Sequence, residues 1–184
     1  QLRTQEIPVV QLSSSNGVYK VNISRKRVDL FIAGEGIQKF SAKRDIIIKN
    51  GEILFDYFKT LVKIDRIAFI VRSFIEDGEA HKTIASKIFK EDFTNLILGE
   101  VHDSALRYST RADFRGFQSN NYITIEKSTI TIPSVGNKTG LLVTRDLNTI
   151  AEENYSDKIN SETYSEFINS AADTASDLTQ LKLI

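Results

Sequence analysis

Ala105-Leu106-Arg107-Tyr108-Ser109-Thr110-Arg111-Ala112-Asp113-Phe114 decides the class of fold. Leu106, Tyr108, Thr110, Ala112 and Phe114 fall on one parity, and Arg107, Ser109, Arg111 and Asp113 on the other. That period of two belongs to a half-buried strand. Arg107 and Arg111 then stand on one exposed face, about 13 Å apart. Such a strand needs sheet neighbours and a covering layer, so the flanking sequence is read for both.

Downstream, residues 115–121 read as a polar loop, and residues 122–127 and 129–132 as strand. The apolar parity changes between Ile123/Ile125 and Ile130/Ile132, which predicts a bulge or turn at Lys127-Ser128. Residues 133–140 read as a loop and residues 141–147 as the last strand. Asn160 or Ser161 caps a terminal helix whose stripe is Tyr164, Ile168, Ala171, Ala175 and Leu178.

Upstream, residues 64–75 are the most β-like run, and apolar residues on both faces predict a central strand. Glu76-Asp77-Gly78 turns into a short helix with Ile84, Ile88 and Phe89 as its stripe, and residues 93–98 continue as helix or extended chain. Before that run, Asn50 reads as the N-cap of a helix carrying Leu54, Phe55, Phe58, Leu61 and Val62. Tyr19, Val21 and Ile23 pair as a hairpin with Val28, Leu30 and Ile32 across the Arg25-Lys26-Arg27 tip. The predicted class is α+β: a mainly antiparallel sheet of about five to six strands, covered by helices on one face, with a C-terminal amphipathic helix. The expected organisation is an N-terminal arm over residues 1–16 and a single domain over residues 17–184.

The composition bounds the function. The 184 residues are 41% hydrophobic and 26% charged with a net charge of zero, which argues against a dedicated polybasic nucleic-acid binder. Cysteine is absent, which removes disulfides, thiolate nucleophiles and Cys-ligated metal and fits a reducing cytoplasm. Methionine is also absent, so the expectation is a chain trimmed at its ends. No window approaches the roughly 18 apolar residues of a spanning helix, and the expectation is a soluble, cytoplasmic protein without a membrane partner.

Candidate chemistry is sparse. His81 and His102 have no second histidine at metal spacing, so no metal site is predicted. Asp103 with Asp113, and Glu76 with Asp77, lack a context that would raise a carboxyl pKa. No serine lies in a nucleophile motif, Gly34-Glu35-Gly36 lacks a third glycine, and Gly136-Asn137-Lys138-Thr139 lacks the upstream glycine of a phosphate loop. No catalytic residue and no cofactor are therefore assigned. One surface remains. Arg107 and Arg111 share a strand face, Arg66 and Arg72 share another, and Arg145 lies on the last strand. Aligned, these guanidinium groups would grip phosphates or carboxylates, with Arg25, Lys26 and Arg27 as a further basic tip. The preferred reading of the arginines is cross-strand pairing with Asp113, Glu126 and Asp146.

Residues 66–74, Arg66-Ile67-Ala68-Phe69-Ile70-Val71-Arg72-Ser73-Phe74, and 141–148, Leu141-Leu142-Val143-Thr144-Arg145-Asp146-Leu147-Asn148, resemble two strands of a bacterial family of uncharacterised proteins scattered sporadically across genomes. The family's versions are Arg-Ile-Gly-Leu-Arg-Tyr-Ile-Asn and an aliphatic-Asp-x-Asp strand before a terminal helix. Here Ala68 replaces the glycine, Val71 the aromatic and Asn148 an acid. The likeness covers most of residues 17–176 and implies a topology, an accessory role such as defence or phage-related function, and no site residues.

The leading functional expectation is a non-enzymatic binding or assembly module of a bacterial cytoplasm, with a protein partner or a second copy, acting through its sheet face or through the terminal helix in a homodimer. The alternative is a nucleic-acid or nucleotide-phosphate binder using the arginine-bearing sheet face. A metal-dependent phosphoesterase built from Asp103, Asp113 and Asp146 is the third.

Overall fold

The computed structural model describes residues 8–15, 17–32, 42–88, 103–132 and 135–176. The fold is α+β, with its strands divided between a three-stranded and a four-stranded sheet, both antiparallel. The chain separates into two compact units, Gln1–Ile47 and Ile48–Ile184.

In the first unit β1 (Val10–Ser13), β2 (Tyr19–Ile23) and β3 (Val28–Ile32) form a meander. Ser14 Oγ accepts from Tyr19 N at 3.0 Å, and Gly17 takes φ 68°, a value glycine adopts without a Cβ clash. The predicted hairpin over residues 19–32 forms, with Tyr19 opposite Ile32 and Ile23 opposite Val28. Val10 pairs with Ile23, so part of the expected arm is hydrogen-bonded sheet.

The helix α1 (Arg44–Phe58) runs from the first unit into the second. It starts six residues before the predicted Asn50 cap, because Asp45 supplies the acidic first turn and the run Ile46-Ile47-Ile48 is helical rather than extended. Leu61 and Val62, expected on its buried stripe, lie beyond its end and are exposed.

The four-stranded sheet of the second unit has the order β4 (Ala68–Glu76), β7 (Gly136–Thr149), β6 (Phe117–Ile132) and β5 (Ala105–Phe114). β4 is therefore an edge strand, not a central one: its apolar residues lie on both faces, yet Ile70 on one of them is exposed. The expected loop at 115–121 is a two-residue turn, Arg115 and Gly116, both at positive φ (53° and 74°), which matches the right-handed twist of a hairpin. Asp113 Oδ1 accepts from Gly116 N at 3.1 Å. No bulge interrupts β6 at Lys127-Ser128. The register with β7 is continuous, so Ile130 and Ile132 lie by parity on the face opposite Ile123 and Ile125, in the part of the β6–β7 hairpin that extends past β4 and β5. The glycines of the expected 133–140 loop lie in β7. Gly140 is required, since a Cβ there would sit 2.1 Å from the Ile75 carbonyl oxygen.

The helices cover one face. α2 (Ala80–Ile88) begins where Asp77 Oδ1 accepts from Glu79 N at 2.8 Å, and it places Ala80 and Ile84 on Ile123, Ile125, Leu141 and Val143. Its expected stripe residue Phe89 and residues 93–98 lie outside the described residues, and of Ile88 only the backbone is described. α3 (Ser161–Ser176) starts at Asn160, whose Oδ1 accepts from Glu162 N and Thr163 N at 3.0 and 3.1 Å, as the sequence predicts. It buries Phe167, Ile168, Ala171 and Ala172. Phe167 meets Phe114 and Phe117 edge-on at 5.4 and 6.0 Å, and Tyr164 stacks on Phe55 of α1 at 4.2 Å.

Candidate functional site

The register decides which side chains share the face of the four-stranded sheet that no described helix covers, the uncovered face. Odd-numbered residues of β7 and β6, such as Leu141, Val143, Ile123 and Ile125, are buried beneath the helices, so the even ones point to the other side. Three cross-strand rows result, read from β4 to β5. They are Ala68, Asn148, Asn120 and Arg111; Ile70, Asp146, Tyr122 and Ser109; and Arg72, Thr144, Thr124 and Arg107.

Four of the five sheet arginines belong to this face. Arg107 and Arg111 lie on β5, Arg72 on β4, and Arg66 just before β4. They rim the face rather than converge on its centre. Arg72 and Arg107 end one row, about 14 Å apart at three strand spacings, and Arg107 and Arg111 are about 13 Å apart along β5. That spacing is too wide for two of them to clamp one phosphate. Arg145 does not join them. It shares the parity of Leu141, Val143 and Leu147, is buried on the helix side, and donates from Nη1 to the Thr174 carbonyl at 2.6 Å. Arg25 and Lys26 are exposed in the turn between β2 and β3, and Arg27 there is paired with Asp29.

A hydrogen-bonded ladder crosses the first row. Arg66 Nη2 donates to Asn148 Oδ1 at 2.8 Å and Arg66 Nε to the Thr149 carbonyl at 3.0 Å. Asn120 Nδ2 reaches the same Asn148 oxygen at 3.5 Å, and Arg111 Nε donates to Asn120 Oδ1 at 3.1 Å. Arg111 Nη2 continues to Glu152 Oε1 at 3.2 Å. The Glu152 carboxyl is held below its ordinary value, first by a hydrogen bond to its own backbone and then by Arg111. Asn148 Nδ2 donates to Asp146 Oδ1 at 2.7 Å, and Asn148 is only 1% exposed, its polar atoms satisfied by this ladder.

In the next row Ile70 and Tyr122 are 43% and 39% exposed on either side of Asp146. Arg107 Nη2 lies 3.5 Å from Glu126 Oε2, while Arg72 has no ion-pair partner among the described residues. The predicted pairing is therefore partly present: Glu126 meets Arg107, but Asp113 holds the turn and Asp146 accepts from Asn148. Charge on the face is nearly balanced, Arg66, Arg72, Arg107, Arg111 and Lys138 against Glu76, Asp113, Glu126 and Asp146.

Sequence reading missed the exposed pair Ile70 and Tyr122. Its available signal was parity, since Tyr122 alternates with the buried Ile123 and Ile125. No parity argument could have found the ladder, which joins three strands and the residues just before β4.

Other chemistry is thin. Among the described residues no group of three or more His, Asp or Glu side chains could hold a metal, and no helix is long and apolar enough to cross a membrane. His81 lies on α2, its carbonyl accepting from Ser104 Oγ at 2.8 Å, and His102 lies outside the described residues. A shallow groove of 320 Å³ is lined by residues 59–64, Ser156 and Ile159, and its Lys59 donates to Ser161 Oγ, which donates in turn to Asp56 Oδ1 at 2.8 Å.

These features define an α+β protein in which the described helices of the second unit cover one face of the four-stranded sheet. No protein-family model, no curated protein and no solved structure matches the chain.

Proposed function

We propose that the protein is a non-enzymatic binding module whose uncovered four-stranded sheet face receives a partner protein. The observation that carries this reading is the middle of the three rows, Ile70, Asp146, Tyr122: an exposed aliphatic side chain on β4 and an exposed aromatic one on β6, with arginines at the rim of the face. Tyrosine and arginine around an apolar centre are the composition of protein-binding hot spots. The ladder through Asn148 and Asn120 pre-orders the rim, so little side-chain freedom is lost on binding. The near balance of charge favours a protein over a polyanion, because Asp146 and Glu126 would repel a phosphate chain. Within this reading the module is a bacterial accessory protein of the reducing cytoplasm, on its lack of cysteine and its family resemblance.

The test is quantitative capture from the native host with the parent and an Ile70→Ser, Tyr122→Ser variant, each confirmed folded by its thermal transition. A partner enriched by the parent and lost by the variant supports the reading. Identical captures remove it. In parallel, fluorescent single- and double-stranded RNA and DNA are titrated at low and near-physiological salt. Binding that weakens with salt and with Arg107→Ala, Arg111→Ala would replace the protein partner by a phosphate backbone.

A further inference from the structure

No strand pairs with the outer edge of β5 among the described residues. Among the described residues β5 hydrogen-bonds to β6 alone, eight of its ten residues are exposed, and its register is unbroken over all ten pairs. It contains no proline, glycine or bulge, and its three charges, Arg107, Arg111 and Asp113, are of both signs, so a second strand can neutralise rather than repel them. The turn at Arg115-Gly116 sets which backbone groups face outward. In a two-residue hairpin of this kind the closing pair, here Phe114 and Phe117, is hydrogen-bonded both ways. Alternation from that pair directs the even-numbered residues of β5 to β6. The N–H and C=O groups of Ala105, Arg107, Ser109, Arg111 and Asp113 therefore point away from the sheet.

We propose that this edge pairs antiparallel with the same edge of a second copy, about a twofold axis at Thr110, to make one continuous eight-stranded sheet. The strand is self-complementary in that register. Arg107 faces the partner's Asp113 and Asp113 the partner's Arg107, on the uncovered side. Ser109 faces the partner's Arg111. On the helix side Leu106 faces the partner's Phe114, and Tyr108, 41% exposed in the single chain, faces the partner's Ala112. Neighbouring registers are penalised. An axis at Ser109 sets Arg107 against the partner's Arg111, an axis at Arg111 sets the two Arg111 residues together, and an axis at Tyr108 sets Asp113 against the partner's Asp103. An axis at Ala112 would also set Arg111 against the partner's Asp113 but overlaps only residues 110–114 of the strand, so charge and length of overlap together favour the axis at Thr110, in an isologous twofold interface. Arg107 is available for this contact, since its pairing with Glu126 is long and its side chain is 74% exposed. The inference goes beyond the binding face, whose Ile70 and Tyr122 stay outside the seam.

The test is sedimentation velocity over a dilution series, with a crosslink to report register. The parent is expected to dimerise below about 100 µM. Ser109→Pro removes an outward N–H while leaving the bonds to β6, and is expected to weaken the dimer by about tenfold or more. The chain has no cysteine, so a single introduced one can bridge only to its own copy. Thr110→Cys sits on the axis at a non-hydrogen-bonded pair, where Cα atoms are about 4.5 Å apart, and is expected to close a disulfide under mild oxidation. Tyr108→Cys, about 13 Å from its copy, is not. Arg107→Asp weakens the dimer, and Arg107→Asp with Asp113→Arg restores it. A parent that stays monomeric at 100 µM overturns the proposal. So does a dimer indifferent to Ser109→Pro, or one that crosslinks equally through Tyr108→Cys. If Ser109→Pro fails to fold, the crosslink pair and the charge exchange decide alone.

Discussion

β4 and β5 are the two edges of one sheet, of nearly equal length and each with arginines on the uncovered face, yet they live in different environments. Phe69 of β4 and Thr110 of β5 end the same cross-strand row, through Leu147 and Asn121. Phe69 is 6% exposed and Thr110 is exposed. The difference comes from what lies over each end. α3 packs across β4 and β7, while α2 reaches only the Leu106 end of β5. A strand's position in a sheet and its burial are therefore separate properties, and β4 shows how apolar sequence on both faces can belong to an edge.

Substitutions on the two edges should reproduce this contrast. Phe69→Ala removes a buried ring under α3 and is expected to lower stability by about 4 kcal/mol, read as a fall in the urea midpoint. Gly140→Ala, whose new Cβ would meet the Ile75 carbonyl, is expected to cost about 3 kcal/mol and to speed amide exchange along β4 before β5. A uniform loss of protection across both edges would show that they unfold as one unit. Asn148→Ala leaves the Arg66 guanidinium and the Asn120 amide short of a shared acceptor, for about 2 kcal/mol.

The covered side also carries a titrating group. Burial, with the Glu52 charge secondary, pushes the Tyr164 phenol from 10.0 up to about 12. The unfolded chain ionises first. Stability that is full below pH 10 is thus lost as pH rises through 12, by on the order of 2 kcal/mol. Tyr164→Phe, which keeps the stack on Phe55, should flatten that alkaline slope relative to the parent in chemical denaturation at stepped pH, and a slope identical to the parent's would locate the titration elsewhere. At the far end of the row, Thr110→Ala is expected to change monomer stability by about 0.5 kcal/mol or less, measured by thermal unfolding at a concentration where no dimer forms.

Local chemistry was legible wherever a signal lay within a few residues. The Tyr19 to Ile32 hairpin, the Asn160 cap, the helix after Asp77 and the alternation of β5 all follow from spacing and hydrogen-bonding side chains. The arginines of the uncovered face were legible too, because Arg66, Arg72, Arg107 and Arg111 lie at even intervals along their strands. Arg145 was readable by the same rule. Its odd register with Leu141, Val143 and Leu147 marks it as facing the helices, and a cation on a buried parity was taken for an outward one. The change of apolar parity in β6 misled for a different reason: a strand that outgrows its neighbours can change its apolar side without any break in register.

The sequence by itself determined the α+β class, the β2–β3 hairpin and the Asn160 cap, because these depend on side chains and backbone within one turn or one hairpin. It also set the period-two faces that make an arginine rim available. Only the tertiary structure decided that the strands form two sheets, that β4 joins β7 at an edge, and that Ile70 and Tyr122 meet on one row while Arg145 leaves it. Those outcomes depend on pairing between residues as far apart as Ile70 and Asp146 and on which helix lies over which strand, and alternation along a single strand carries no information about its neighbour.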